Sequence, residues 1–77
     1  MFEKEIFASR LLALRKDKGI SQQNLAEHLG VSFHQVSKME TGQRGASLEV
    51  TCALADYFDV SLDFLTGRTD NPNSHKE

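Results

Sequence analysis

Between Gly30 and Ser32 one helix has to stop and another has to start, with a single residue separating them. Gly30 can take the left-handed backbone that closes a helix. Ser32 is a natural N-cap, and Gln35 three positions later completes the pattern of a capping box. Ser21 offers the same kind of cap upstream, so residues 21–42 read as two helices of two to three turns joined by a very short link. Helices joined so tightly cross steeply, and the second is left projecting from the body of the domain. Such a crossing needs a small side chain where the two helices touch. Ala26, four residues before Gly30, meets that need, while Leu25, Leu29, Val31, Val36 and Met39 supply the apolar plug beneath.

The rest of the chain is helical in pattern as well. From Glu3 to Lys18, Phe7, Leu11 and Leu14 recur at helical spacing with Arg10, Arg15, Lys16 and Lys18 between them, and Gly19 follows as a stop. After Thr41-Gly42 a polar loop, Gln43 to Ala46, leads to Ser47. That serine caps a fourth helix whose inward stripe reads Leu48, Thr51, Cys52, Leu54, Ala55 and Phe58. Val60 and Ser61 then open a short fifth helix carrying Leu62, Phe64 and Leu65. Past Gly67, residues 68–77 are polar, hold the single proline, and are expected to form a disordered tail. No strand alternation interrupts this pattern, so the expected fold is all-α: one compact five-helix domain over residues 1–67.

Length and residue content narrow the functions open to such a fold. A chain of 77 residues supports one thin core and has no room for a separate catalytic domain. Cys52 is the only cysteine; no disulfide can form within the chain, and on an apolar stripe the expected state is a buried, inert thiol. No apolar run approaches the roughly 20 residues of a membrane span, and Met1-Phe2-Glu3-Lys4-Glu5 lacks the order of a signal peptide. A cytoplasmic protein with no membrane partner is expected. His28, His34 and His75 lack metal-ligand spacing, which predicts no metal site, and His28 is expected at the surface. No nucleophile with a base and no phosphate loop is present, so neither an enzyme nor a cofactor is expected.

The net charge of −2 hides an asymmetry. Residues 1–46 hold seven Lys or Arg against five acids, a balance of +2, whereas residues 47–77 hold two against six, a balance of −4. Only the first part could face a phosphate backbone without repulsion. The acids Asp56, Asp59 and Asp63 would keep the other side turned away from it.

From Arg10 to Leu65 the chain resembles the lambda repressor-like, Cro and phage-repressor (Xre-type) family of helix-turn-helix domains. The resemblance is strongest at Gly19-Ile20-Ser21-Gln22, at Leu25-Ala26 through Leu29-Gly30-Val31-Ser32, at Glu40-Thr41-Gly42 and at Ser47-Leu48-Glu49. It implies a bacterial or phage transcriptional regulator, a repressor that reads the major groove of double-stranded DNA with the helix at about 32–41. By the same resemblance Phe33, His34 and Lys38 meet base edges. Gln22 meets a phosphate, Gln35 and Ser37 flank the reading positions, and Thr41, Gln43 and Arg44 touch the backbone. Arg15 and Glu40 stand where some members pair an arginine with a glutamate. Gly45-Ala46 replaces the Asn-Pro that many members carry, which points to a more mobile loop.

The side chains suit those roles. Lys38 can donate to guanine O6 and N7, and His34 can donate or accept according to tautomer. Phe33 either offers apolar contact, best to a thymine methyl, or packs on a neighbouring side chain. Two apolar groups are left without an obvious buried place, Phe2 with Ile6 and Leu62 with Phe64. Such a surplus marks an interface. A homodimer is expected, with Phe58, Leu62 and Phe64 at the contact, on a pseudo-palindromic operator whose half-sites lie about 34 Å apart. The acidic second half also suits an alternative, a protein-interaction module such as an antitoxin or an antagonist of another regulator.

Overall fold

The structure, a computed structural model, describes residues 3–73. These form α1 (Lys4–Lys18), α2 (Gln22–Leu29), α3 (Phe33–Glu40), α4 (Leu48–Phe58) and α5 (Leu62–Leu65). Phe2 and His75 lie outside the described residues. No described helix is long and apolar enough to cross a membrane.

Four of the five helices begin at a serine whose hydroxyl accepts a backbone N–H three residues on. Ser21 takes Asn24 at 3.0 Å, Ser32 takes Gln35 at 3.0 Å, Ser47 takes Val50 at 3.1 Å and Ser61 takes Phe64 at 3.0 Å. Each cap satisfies one of the N–H groups a helix start leaves unpaired, for about 1 kcal/mol. Gly30 closes α2 at φ +73, so a side chain there would carry the left-handed strain that glycine avoids. α4 closes differently: Asp59 takes the left-handed position at φ 56, one of the few non-glycine residue types that tolerates it.

The core joins Phe7 and Leu11 of α1 to Leu25 and Ala26 of α2, Val36 and Met39 of α3, Leu54 and Ala55 of α4, Val60, and Leu65 of α5. α3 packs against both α1 and α2. Ala26 is 1% exposed in this core, and Leu29 and Val31 pack on its edge. Ala26→Leu should therefore overpack the α2–α3 crossing. The expected loss is about 1–3 kcal/mol, read from urea unfolding midpoints; an unchanged midpoint would mean that the helices do not meet there.

Three expectations are corrected. Leu48 does not face inward: it is 76% exposed, because it occupies the first turn of α4, beyond the reach of the core that Thr51, Leu54 and Ala55 enter. Cys52 is half-buried at the border of that stripe rather than enclosed. Residues 68–73 fold back on the domain instead of forming a loose tail. The Ser61 N–H donates to the Pro72 carbonyl at 2.8 Å, and the Arg68 N–H donates to the Asp63 carbonyl at 2.8 Å.

The reason lies in α1. The Arg10 guanidinium stacks on the Phe64 ring at 4.2 Å and donates to the carbonyls of Phe64 and Thr69 and to the Asp70 carboxylate. One side chain thus ties the segment to the domain, beside the segment's own turns, in which the Thr69 hydroxyl accepts the Asn71 N–H and the Asn71 side chain accepts the Asn73 N–H. Ile6, 36% exposed, lies under Gly67, whose missing Cβ would come within 3.0 Å of it. Part of the apolar surplus is absorbed in this way.

Candidate nucleic-acid interface

α3 is held from below and open from above. Val36 and Met39 are fully buried and Glu40 is 7% exposed, which fixes the underside of the helix. His34, Lys38 and Thr41, at helical i, i+4 and i+7 spacing, form the opposite stripe and are all exposed. Phe33 sits beside that stripe at the N-terminal end, 42% exposed. Its ring packs on a neighbouring side chain, meeting His34 edge-on with centroids 5.7 Å apart, while part of it stays open to the outside. Gln35 and Ser37 are half-buried on the two flanks.

The turn after α3 is ordered by local hydrogen bonds. The Thr41 hydroxyl donates to the Lys38 carbonyl at 3.2 Å, the Gln43 side-chain amide donates to the Thr41 hydroxyl at 3.0 Å, and the Gln43 backbone N–H reaches the Lys38 carbonyl at 3.0 Å. Arg44 is exposed beyond them. Lys38 and Arg44 thus bring positive charge to this end, while Asp56 and Asp59 are exposed on α4 and just after it.

Beneath α3 lies a buried polar network. Arg15 of α1 donates through Nε to Glu40 Oε2 at 2.6 Å and through Nη2 to Oε1 at 3.1 Å, a two-pronged pair whose side chains are 12% and 2% exposed. Arg15 Nη1 also donates to the Ile20 carbonyl at 2.8 Å, and the Gln22 side-chain amide donates to Glu40 Oε1 at 2.8 Å. The carboxylate at the end of α3 is therefore tied to α1 and to the first turn of α2 together. A buried charge with this many donors is kept from the cost an unpaired one would carry. Gln22, expected at a phosphate, has one of its amide N–H groups committed here. Its second N–H and the helix-start backbone N–H groups remain the donors an anion could use.

The residues expected at a dimer contact are all half-buried. Phe58 borders a shallow hollow with Leu14, Asp17 and Lys18 of α1, Leu62 is half-buried, and Phe64 lies under the Arg10 guanidinium. Two features escaped the sequence reading, the Arg10 clasp and a ring cluster in which His28 stacks on Tyr57 at 4.0 Å while Lys18 Nζ lies 4.9 Å from the same ring. His28 is exposed, as expected.

Known proteins share this arrangement. A helix-turn-helix family profile matches residues 11–65. The HTH-type transcriptional regulator AnsR of Bacillus subtilis is 44% identical over 59 residues, which cover 77% of this chain and 51% of that protein, so the chain spans about half the length of this relative. Among solved structures, the restriction-modification controller protein C.AhdI from Aeromonas hydrophila superposes with a TM-score of 0.72 at 37% identity, covering 80% of this chain and 94% of that one. The P22 c2 repressor, solved in complex with a synthetic operator, superposes with a TM-score of 0.78 at 28% identity over 83% and 97% of the two chains. Motif, caps and five-helix architecture converge with these matches, and the chain belongs to the lambda repressor-like helix-turn-helix family.

Proposed function

We propose that this chain is a sequence-specific double-stranded DNA-binding transcriptional regulator that represses by occupying a promoter, with α3 in the major groove. The carrying observation is the joint exposure of Phe33, His34 and Lys38 on a helix whose underside is locked by Val36, Met39 and Glu40. Base reading belongs to those three side chains. Gln22, Gln35, Ser37, Thr41, Gln43 and Arg44 serve the backbone, where neutral donors and a cation suit phosphate.

The reading includes a homodimer on a pseudo-palindromic operator, with Phe58, Leu62 and Phe64 as its contact, since a two-fold protein matches a two-fold site. Residues 1–67 act as the DNA-binding unit, in the cytoplasm and on the nucleoid when bound. The reading assigns binding and no catalysis. It draws support from the AnsR resemblance and from the P22 c2 repressor, which is a complex with operator DNA.

Selection of bound fragments from random duplexes tests this directly. The recovered site should bind about 10³-fold or more tightly than random DNA, with log affinity falling linearly as log salt rises. Equal affinity for recovered and random duplexes would overturn the proposal. Co-purification of one stoichiometric protein partner in place of any recovered site would favour the interaction-module alternative.

A further inference from the structure

A single exposed phenylalanine on a small domain needs no explanation. Phe33 differs in where it stands and in what surrounds it. It is the first residue of α3, 42% exposed, beside a stripe made of His34, Lys38 and Thr41. That stripe contains no carboxamide, and asparagine or glutamine is the side chain that pairs in two-pronged fashion with adenine N6 and N7. Lys38 suits guanine. The feature of an A·T pair that Phe33 can take up in the major groove is the C5-methyl of thymine, an apolar group on the groove wall.

The ring also has an aromatic neighbour. His34 meets it edge-on at 5.7 Å, within the range of favourable aromatic pairs, so less freedom is lost when a methyl packs against it. Cytosine methylated at C5 presents the same methyl group at the same position of the base. An apolar side chain that makes no hydrogen bond has no means of separating the two methyls.

Resting on the DNA-binding reading above, we propose that Phe33 is a specificity residue for a C5-methylpyrimidine, accepting thymine or 5-methylcytosine and rejecting the unmethylated base. The chain is thereby sensitive to cytosine C5-methylation within its site. The ligand is defined by the methyl, and its two sources are separated by the arms of the test.

The test uses the full chain and the tightest duplex recovered from random DNA. Thymines are replaced by uracil one position at a time, which removes only the methyl. Burying one such group is worth about fourfold in Kd. One position in each half-site should show that loss, and both together should show about 15-fold by the same conversion. At the same positions, a 5-methylcytosine·guanine pair should bind about fourfold more tightly than a cytosine·guanine pair.

Phe33→Ala should bind thymine and uracil duplexes alike, with its folding checked by circular dichroism. Uracil tolerated at every position, 5-methylcytosine no better than cytosine, or a methyl preference that survives in Phe33→Ala would each overturn the inference. Failure of the underlying reading is seen earlier and separately. If no duplex is selected even from unmodified DNA, the interface assignment falls and the inference falls with it.

Discussion

Arg15→Ala is expected to lower the melting temperature by on the order of 20 °C, the largest effect of any single substitution outside the apolar core. Glu40 is 7% exposed, and Arg15 supplies two of the hydrogen bonds that its carboxylate accepts. Removing one partner of a buried pair leaves an uncompensated charge and costs about 3–5 kcal/mol. A domain of this size shifts by about 4–8 °C for each of those kcal/mol. The Ile20 carbonyl loses its donor in the same step. Removing both charges should be much less damaging, because two apolar side chains leave no buried ion behind. Thermal melts of Arg15→Ala beside the double variant Arg15→Met with Glu40→Met separate the causes. Should the double variant melt as low as the single one, packing rather than charge would be responsible.

The second large effect concerns recognition. Lys38→Ala should cost about 1–3 kcal/mol at each half-site, the range for a good base contact, and about 30-fold or more in Kd for a two-fold operator. The loss should fall on the selected site and spare random DNA, and guanine preference at one position should disappear. The fold should be untouched, since Lys38 is exposed on the outer stripe of α3. Gln22→Ala provides the contrast. Its side chain stands at the start of α2 and donates to Glu40, so its removal should weaken binding to every duplex and lower stability slightly. Titrations of both variants against selected and random DNA decide the matter, and identical behaviour of the two would refute the division between base and backbone roles.

The parts legible in the sequence were those fixed by short-range chemistry. Ser21, Ser32, Ser47 and Ser61 each cap the helix they precede, and each does so through the N–H three residues ahead. Gly30 ends α2 through a left-handed backbone angle and Ala26 fits the core because it is small, both properties of single residues. The pairing of Arg15 with Glu40 came only from resemblance, since the two are 25 residues apart.

What stayed hidden depends on tertiary geometry. Helical periodicity gives the direction of Leu48 but not whether any core extends far enough to cover it. For Cys52 the border of a stripe is as consistent with the pattern as its centre. Arg10 looked like one more cation among those of the first helix, and its partners lie 54 to 60 residues away. The segment from Arg68 to Asn73 has a disordered composition, and nothing within it indicates that an arginine of the first helix awaits it.

That clasp ties the first helix to the segment after the last one. The α2–α3 pair can form from neighbours in the chain, whereas joining Arg10 to Phe64, Thr69 and Asp70 closes a loop that spans most of the polypeptide and carries the entropy of doing so. Closing that long loop is the costlier step, so the seam has less local support than the α2–α3 pair. In amide exchange, α5 and the segment after it should open at lower free energy than α3, so the domain is expected to fray from its seam while the exposed stripe of α3 keeps its support.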